Sequence, residues 1–80
     1  MLNRICITAQ KGCQGLTNAR LKSAFKNVFS EDPVMIRSEG RRIIVHTHLE
    51  LNEKKVRRFA RKLGSFTQFK GEDNSFSFNL

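Results

Sequence analysis

The chain has no tryptophan and no tyrosine, so seven phenylalanines supply all of its aromatic bulk. One proline and five glycines in 80 residues are too few for a linker or a low-complexity segment, and they argue for regular elements joined by short turns. Two cysteines, Cys6 and Cys13, fall short of the four or more that staple a small secreted scaffold. Reduced thiols in a cytoplasmic protein are therefore expected. No apolar run approaches the roughly 18 residues needed to span a bilayer. The opening Met1-Leu2-Asn3-Arg4 does not lead into a signal-peptide core, because polar residues interrupt it by Thr8. Acids are scarce as well: seven Asp and Glu stand against 15 Lys and Arg, for a net charge of +8, and residues 1–30 hold no acid at all. Such an imbalance says little about fold but much about partners, which narrow to nucleic acid, an anionic membrane surface or an acidic protein.

What is present suits one small domain, residues 1–80. A chain of this size buries only about 60% of the surface its unfolded form exposes, so most of its apolar residues are needed for the core. Asn3 to Ala9 alternate, with Ile5, Ile7 and Ala9 on one face and Arg4, Cys6 and Thr8 on the other, the period of a half-buried strand. The loop Gln10 to Gly15 follows. Thr17 then caps a helix over residues 17–29, with Leu21, Ala24, Phe25 and Val28 at helical spacing. Glu31-Asp32-Pro33 ends it. Residues 33–37 and 42–49 flank Ser38-Glu39-Gly40-Arg41 and read as a hairpin. A second helix spans 52–63, with Val56, Phe59, Ala60 and Leu63 as its stripe and Gly64 as its C-terminal cap. Ser65 to Lys70 and Ser75 to Asn79 read as two more strands around the turn 71–74.

Setting Leu16 on Leu51 superposes the two helical patterns, with the large and small residues swapped at Ala24-Phe25 and Phe59-Ala60. Each helix follows one strand and precedes another. The pattern is a βαββαβ chain with an added C-terminal strand, and it predicts an α+β, ferredoxin-like split βαβ sandwich: two helices on one face of an antiparallel sheet. RNA-recognition-motif domains share this element order. Their Gly-aromatic-aromatic signature is absent from the third strand, Arg41 to His48, so the resemblance stops at architecture.

The second helix carries Lys54, Lys55, Arg57, Arg58, Arg61 and Lys62, with Glu53 as its one acid. Like charges three and four apart each cost a few tenths of a kcal/mol, and ordinary solubilising faces mix both signs. A face of one sign implies a polyanionic partner. The sheet face away from the helices is expected to add Arg4, Arg42 and His46, together with Cys6, Thr8, Ile44, His48 and either Met35 or Arg37 according to hairpin register. The loop Lys11-Gly12-Cys13-Gln14-Gly15 offers a phosphate the start of the first helix, although it is no Walker motif. The expected function is nucleic-acid binding, RNA before DNA, through phosphate contacts that need only Lys, Arg and backbone N–H groups. The rival is a basic regulator docking on an acidic protein surface, with Phe76 to Leu80 as a candidate exposed patch. A third reading, a metal-free ribonuclease or toxin, would use His46 and His48 as acid and base; with Cys6 the same pair would suit zinc. Two surface histidines are commonplace, and paired carboxylates, a nucleophile elbow and a metal-spaced cysteine cluster are all missing. No enzyme activity, metal or cofactor is expected.

Overall fold

A computed structural model of the protein describes residues 2–10 and 15–80. The elements are β1 (Asn3–Thr8), α1 (Asn18–Phe29), β2 (Met35–Glu39), β3 (Arg42–Thr47), α2 (Glu53–Leu63), β4 (Thr67–Glu72) and β5 (Ser75–Asn79). Both helices begin where the capping residues place them. The Thr17 hydroxyl accepts from the Arg20 amide at 3.2 Å and the Asn52 side-chain Oδ1 from the Lys55 amide at 2.9 Å, each satisfying one of the four free N–H groups of a helix start. At the C-terminal ends the Ser30 and Gly64 amides donate to the carbonyls of Lys26 and Ala60.

Two short loops set the strand pairs. Gly40-Arg41 joins β2 to β3 with Gly40 at φ +61, and Asp73-Asn74 joins β4 to β5 with both residues at positive φ, the backbone that two-residue hairpin loops need. Asn74 also ties that hairpin to its neighbours. Its side-chain oxygen accepts from the Leu51 amide at 3.0 Å, and its carbonyl accepts from the Arg4 amide at 3.1 Å.

All five strands form one sheet in the order β2-β3-β1-β5-β4. The pairs β2·β3, β1·β3 and β4·β5 are antiparallel, whereas β1·β5 is parallel. This corrects the ferredoxin-like expectation of a wholly antiparallel sheet: the fold is α+β with two helices and a mixed five-stranded sheet. In the expected arrangement the strand after α2 lies beside β1. Here β4 is pushed to the edge and β5 takes the inner place. Burial explains the exchange. The strand beside β1 must fill the space under both helices, and β5 brings Phe76 and Phe78 to that side, both buried, whereas β4 is mostly exposed and brings only the half-buried Phe69. The tight turn after β4 reverses the chain, so β5 runs parallel to β1.

Both helices lie on one face of the sheet, as predicted. One apolar cluster joins Leu21, Phe25 and Val28 of α1 and Val56, Phe59 and Leu63 of α2 to Ile5, Ile7, Ile43, Val45, Phe76 and Phe78 of the strands. Arg20 near the start of α1 donates to the Leu63 carbonyl at 2.8 Å, and the Lys55 ammonium sits 6.0 Å from the Phe29 ring. The helices are therefore antiparallel.

Gly71 shows how closely the edge strand is fitted. It pairs with Phe76 across the β4·β5 ladder, and any side chain at this position would collide with the Phe76 ring. Since Phe76 is buried, that ring has little room to retreat. Gly71→Ala is expected to destabilise the fold by about 1–3 kcal/mol, as overpacking usually does. A urea titration measures it, and an unchanged midpoint would show that the ring moves freely.

Candidate nucleic-acid interface

The outer surface of the helix layer follows from the two apolar stripes. At 100° per residue, burying Val56, Phe59, Ala60 and Leu63 leaves Lys54, Lys55, Arg58, Arg61 and Lys62 exposed on α2. On α1 the same logic exposes Arg20, Lys22 and Lys26. The two helices together hold nine of the 15 Lys and Arg and one of the seven acids, Glu53. That balance, nine against one, equals the whole net charge of +8. The remaining six basic and six acidic residues cancel. A protein whose excess charge all sits in one layer presents a one-sided field.

Within that layer the cations are not equivalent. Arg57 was expected to contact phosphate, but the structure places it elsewhere. Its guanidinium carbon lies 4.3 Å from the Phe69 ring centroid and 6.0 Å from that of Phe66, while Nε donates to Glu53 Oε2 at 3.2 Å. Half-buried and already paired, it closes the gap between α2 and the edge strand instead of serving as a free charge. Arg20 is also committed in part, bridging the Gly15 and Leu63 carbonyls at 3.0 and 2.8 Å. Arg20, Ser23, Ala24 and Asn27 of α1 and Lys62 of α2 line a groove of about 360 Å³ between the helices. Sequence reasoning noted the acid-free first 30 residues but left α1 out of the candidate surface; the packing of both helices on one face of the sheet puts the exposed Lys22 and Lys26 in the same layer as the α2 cations.

The other expected contacts lie on the opposite side of the sheet. Strand register arranges them in rows: Met35, His46, Arg4 and Ser75 in one, Arg37, Ile44, Cys6, Ser77 and Lys70 in the next, and Glu39, Arg42, Thr8 and Asn79 in the third. Met35 and Arg37 both lie on this face, two residues apart, where one or the other was expected. Arg37 is paired with Glu39 at 3.5 Å. Arg42 donates to Cys6 Sγ at 3.4 Å, and its pKa is raised above the usual value first by that hydrogen bond, then by the charge of Cys6 and, more weakly, of Glu39. The sheet lies between Arg4, Arg37, Arg42 and His46 and the cations of α2. A continuous surface made of α2 and the sheet face is therefore not formed; there are two separate faces.

His46 is half-buried on the open face, but His48 lies past the end of β3, so the two imidazoles do not share a strand. Cys6 pairs in register with Ile44, not with His46. Among the described residues no group of three metal-ligating side chains occurs. The C-terminal Phe76 and Phe78, candidates for an exposed docking patch, are core residues. Lys11 and its loop lie outside the described residues. No described helix is long and apolar enough to cross a membrane. Compared with known proteins, the chain matches no family model, no curated protein and no solved structure.

Proposed function

We propose that the protein binds RNA through the phosphate backbone, with the outer face of α1 and α2 as its contact surface and base-paired segments as its preferred form. The observation that carries this reading is the concentration of the entire excess charge on the two helices, unbalanced except at Glu53. Base-paired RNA is favoured because all seven Phe are buried or half-buried in the described structure. Proteins that hold single strands use exposed aromatics as stacking platforms, and none is offered. Duplex RNA is recognised mostly through its shape, its phosphates and its 2′-hydroxyls, for which lysine and arginine are sufficient. The exposed Lys54, Lys55, Arg58, Arg61 and Lys62 of α2 supply the contacts, with Lys22 and Lys26 alongside.

Each neutralised phosphate adds about 0.7–0.9 to the slope of log affinity against log salt. Labelled RNA duplex and single strand titrated at several salt concentrations test the proposal. The duplex is expected to bind more tightly, with a slope of roughly −3 to −5 for about five contacts. Arg58→Ala with Arg61→Ala should make the slope shallower by about 1.4–1.8. A slope that does not change would remove the helix layer from the interface. Weak binding by both proteins, with capture of an acidic protein lost in the variant, would favour the regulator reading instead.

A further inference from the structure

On the face away from the helices, the sheet is hollowed into a concavity of about 670 Å³ whose lining includes Arg4, Arg42, Lys70, Cys6, Ser75 and Ser77. We propose that this concavity is a second, separate site, for a small ligand carrying a diphosphate or a terminal phosphate.

The register defines its shape. Cys6, Ser77 and Lys70 follow one another across β1, β5 and β4, and Arg4 and Ser75 lie in the adjoining row. Strands are about 4.8 Å apart and alternate residues along a strand about 6.8 Å. The backbones of Arg4, Arg42 and Lys70 therefore stand roughly 12–16 Å from one another, a span that their long side chains can close around a ligand with one or two phosphate groups. Their charges are largely uncommitted. Among the described residues the ion pairs, Arg37 with Glu39 and Arg57 with Glu53, involve neither Arg4 nor Lys70. Arg42 is held over the floor by its hydrogen bond to Cys6 Sγ. The acids that face these groups are Glu72, on the rim two residues from Lys70, and Glu39, which pairs in register with Arg42. Within the lining, three cations outnumber one carboxylate, and His46 pairs with Arg4 from β3. The two serines place hydroxyl donors on the strand between Arg4 and Lys70, and Ile44 gives the lining an apolar part. A concave site of several hundred Å³ with a few converging polar groups is the usual form of a small-molecule site, and arginine is suited to phosphate because its guanidinium binds in a bidentate manner. The site is independent of RNA binding by the helix layer, since the sheet separates the two.

Cys6 in the lining makes the site measurable. In the Cys13→Ser protein it is the sole thiol, and its alkylation by iodoacetamide can be followed by mass spectrometry. Inorganic pyrophosphate is expected to slow that alkylation saturably, at least fivefold, while sulfate at matched ionic strength slows it less than twofold. Arg4→Gln and Lys70→Gln should each raise the protecting concentration at least tenfold without changing the circular dichroism spectrum. Calorimetric titration of pyrophosphate into the same variants reads binding without the thiol. Two further arms identify the source of the phosphate, both in an Arg58→Glu, Arg61→Glu background that weakens the helix layer. Protection by ADP as effective as by pyrophosphate marks a free nucleotide. Protection by a 5′-phosphorylated oligoribonucleotide that its 5′-hydroxyl counterpart lacks marks a strand end. Pyrophosphate that protects no better than sulfate, or equally in the Gln variants, would overturn the site.

Discussion

Reversing Arg58 and Arg61 to Glu should lower affinity for a base-paired RNA by 100-fold or more while leaving the fold at least as stable. Both side chains are exposed on the outer surface of α2, and hydrogen bonds to charged groups contribute about 1.5–3 kcal/mol each, so two lost contacts alone account for roughly 100-fold. Repulsion between the introduced carboxylates and phosphate adds to the loss. The opposite sign is expected for stability. Positions 58 and 61 stand three or four residues from Lys54, Arg57 and Lys62, and an opposite-charge pair at that spacing gains about 0.2–0.5 kcal/mol where a like-charge pair costs as much. A binding assay paired with a thermal melt therefore separates the functional surface from a merely soluble one. Arg4→Gln, on the far side of the sheet, is the control and should change duplex affinity by less than about twofold. If the charge-reversed protein keeps its affinity, the helix layer is not the interface. If it loses affinity together with its fold, the outward position of these side chains is wrong.

The helices were legible in the sequence because their signals are local. Apolar spacing of three and four residues, Thr17 and Asn52 as caps and Gly64 at the far end gave both spans to within one residue. Strand order was not local. Alternation in Asn3 to Ala9 or Ser75 to Asn79 reports which side chains point inward, yet it is silent about which strand lies beside which. The two C-terminal strands competed for the place next to β1, and the winner was decided by bulk: Phe76 and Phe78 fill the space under the helices better than Phe69 and Gly71 do. Exchanging those two strands turned an antiparallel pairing into a parallel one.

The same reasoning separates the parts of the candidate interface that could be read from those that could not. Charge on α2 was visible because a helical wheel needs only the sequence. The diversion of Arg57 onto Phe69 depends on β4 sitting at the sheet edge, and so it was hidden along with the strand order. That the sheet face and α2 point in opposite directions follows from both helices packing on one side, which the pattern had already implied. The concavity around Cys6 required the register of four strands, because Arg4, Arg42 and Lys70 come from three separate parts of the chain and β5 lies between two of them.

The largest effect on stability is expected from Phe59→Ala. Phe59 is fully buried at the meeting of both helices with the sheet, its ring edge-on to Phe25 at 5.8 Å and to Phe78 at 6.5 Å. It thus joins α2 to α1 and to the strand that displaced β4. Removing a buried phenylalanine costs about 3–5 kcal/mol, since the lost transfer energy is compounded by the cavity left behind. An 80-residue domain has only about 4–12 kcal/mol of total stability, so the variant retains at most a fraction of it. At about 4–8 °C per kcal/mol for a domain of this size, the melting temperature should drop by at least 12 °C. Phe69→Ala supplies the comparison. That ring is half-buried at the sheet edge beneath Arg57, so its loss should be milder and should loosen the end of the sheet before the helix pair. Thermal melts followed by circular dichroism rank the two variants. A smaller drop for Phe59→Ala than for Phe69→Ala would mean that the sheet edge, and not the wedge between the helices, holds this fold together.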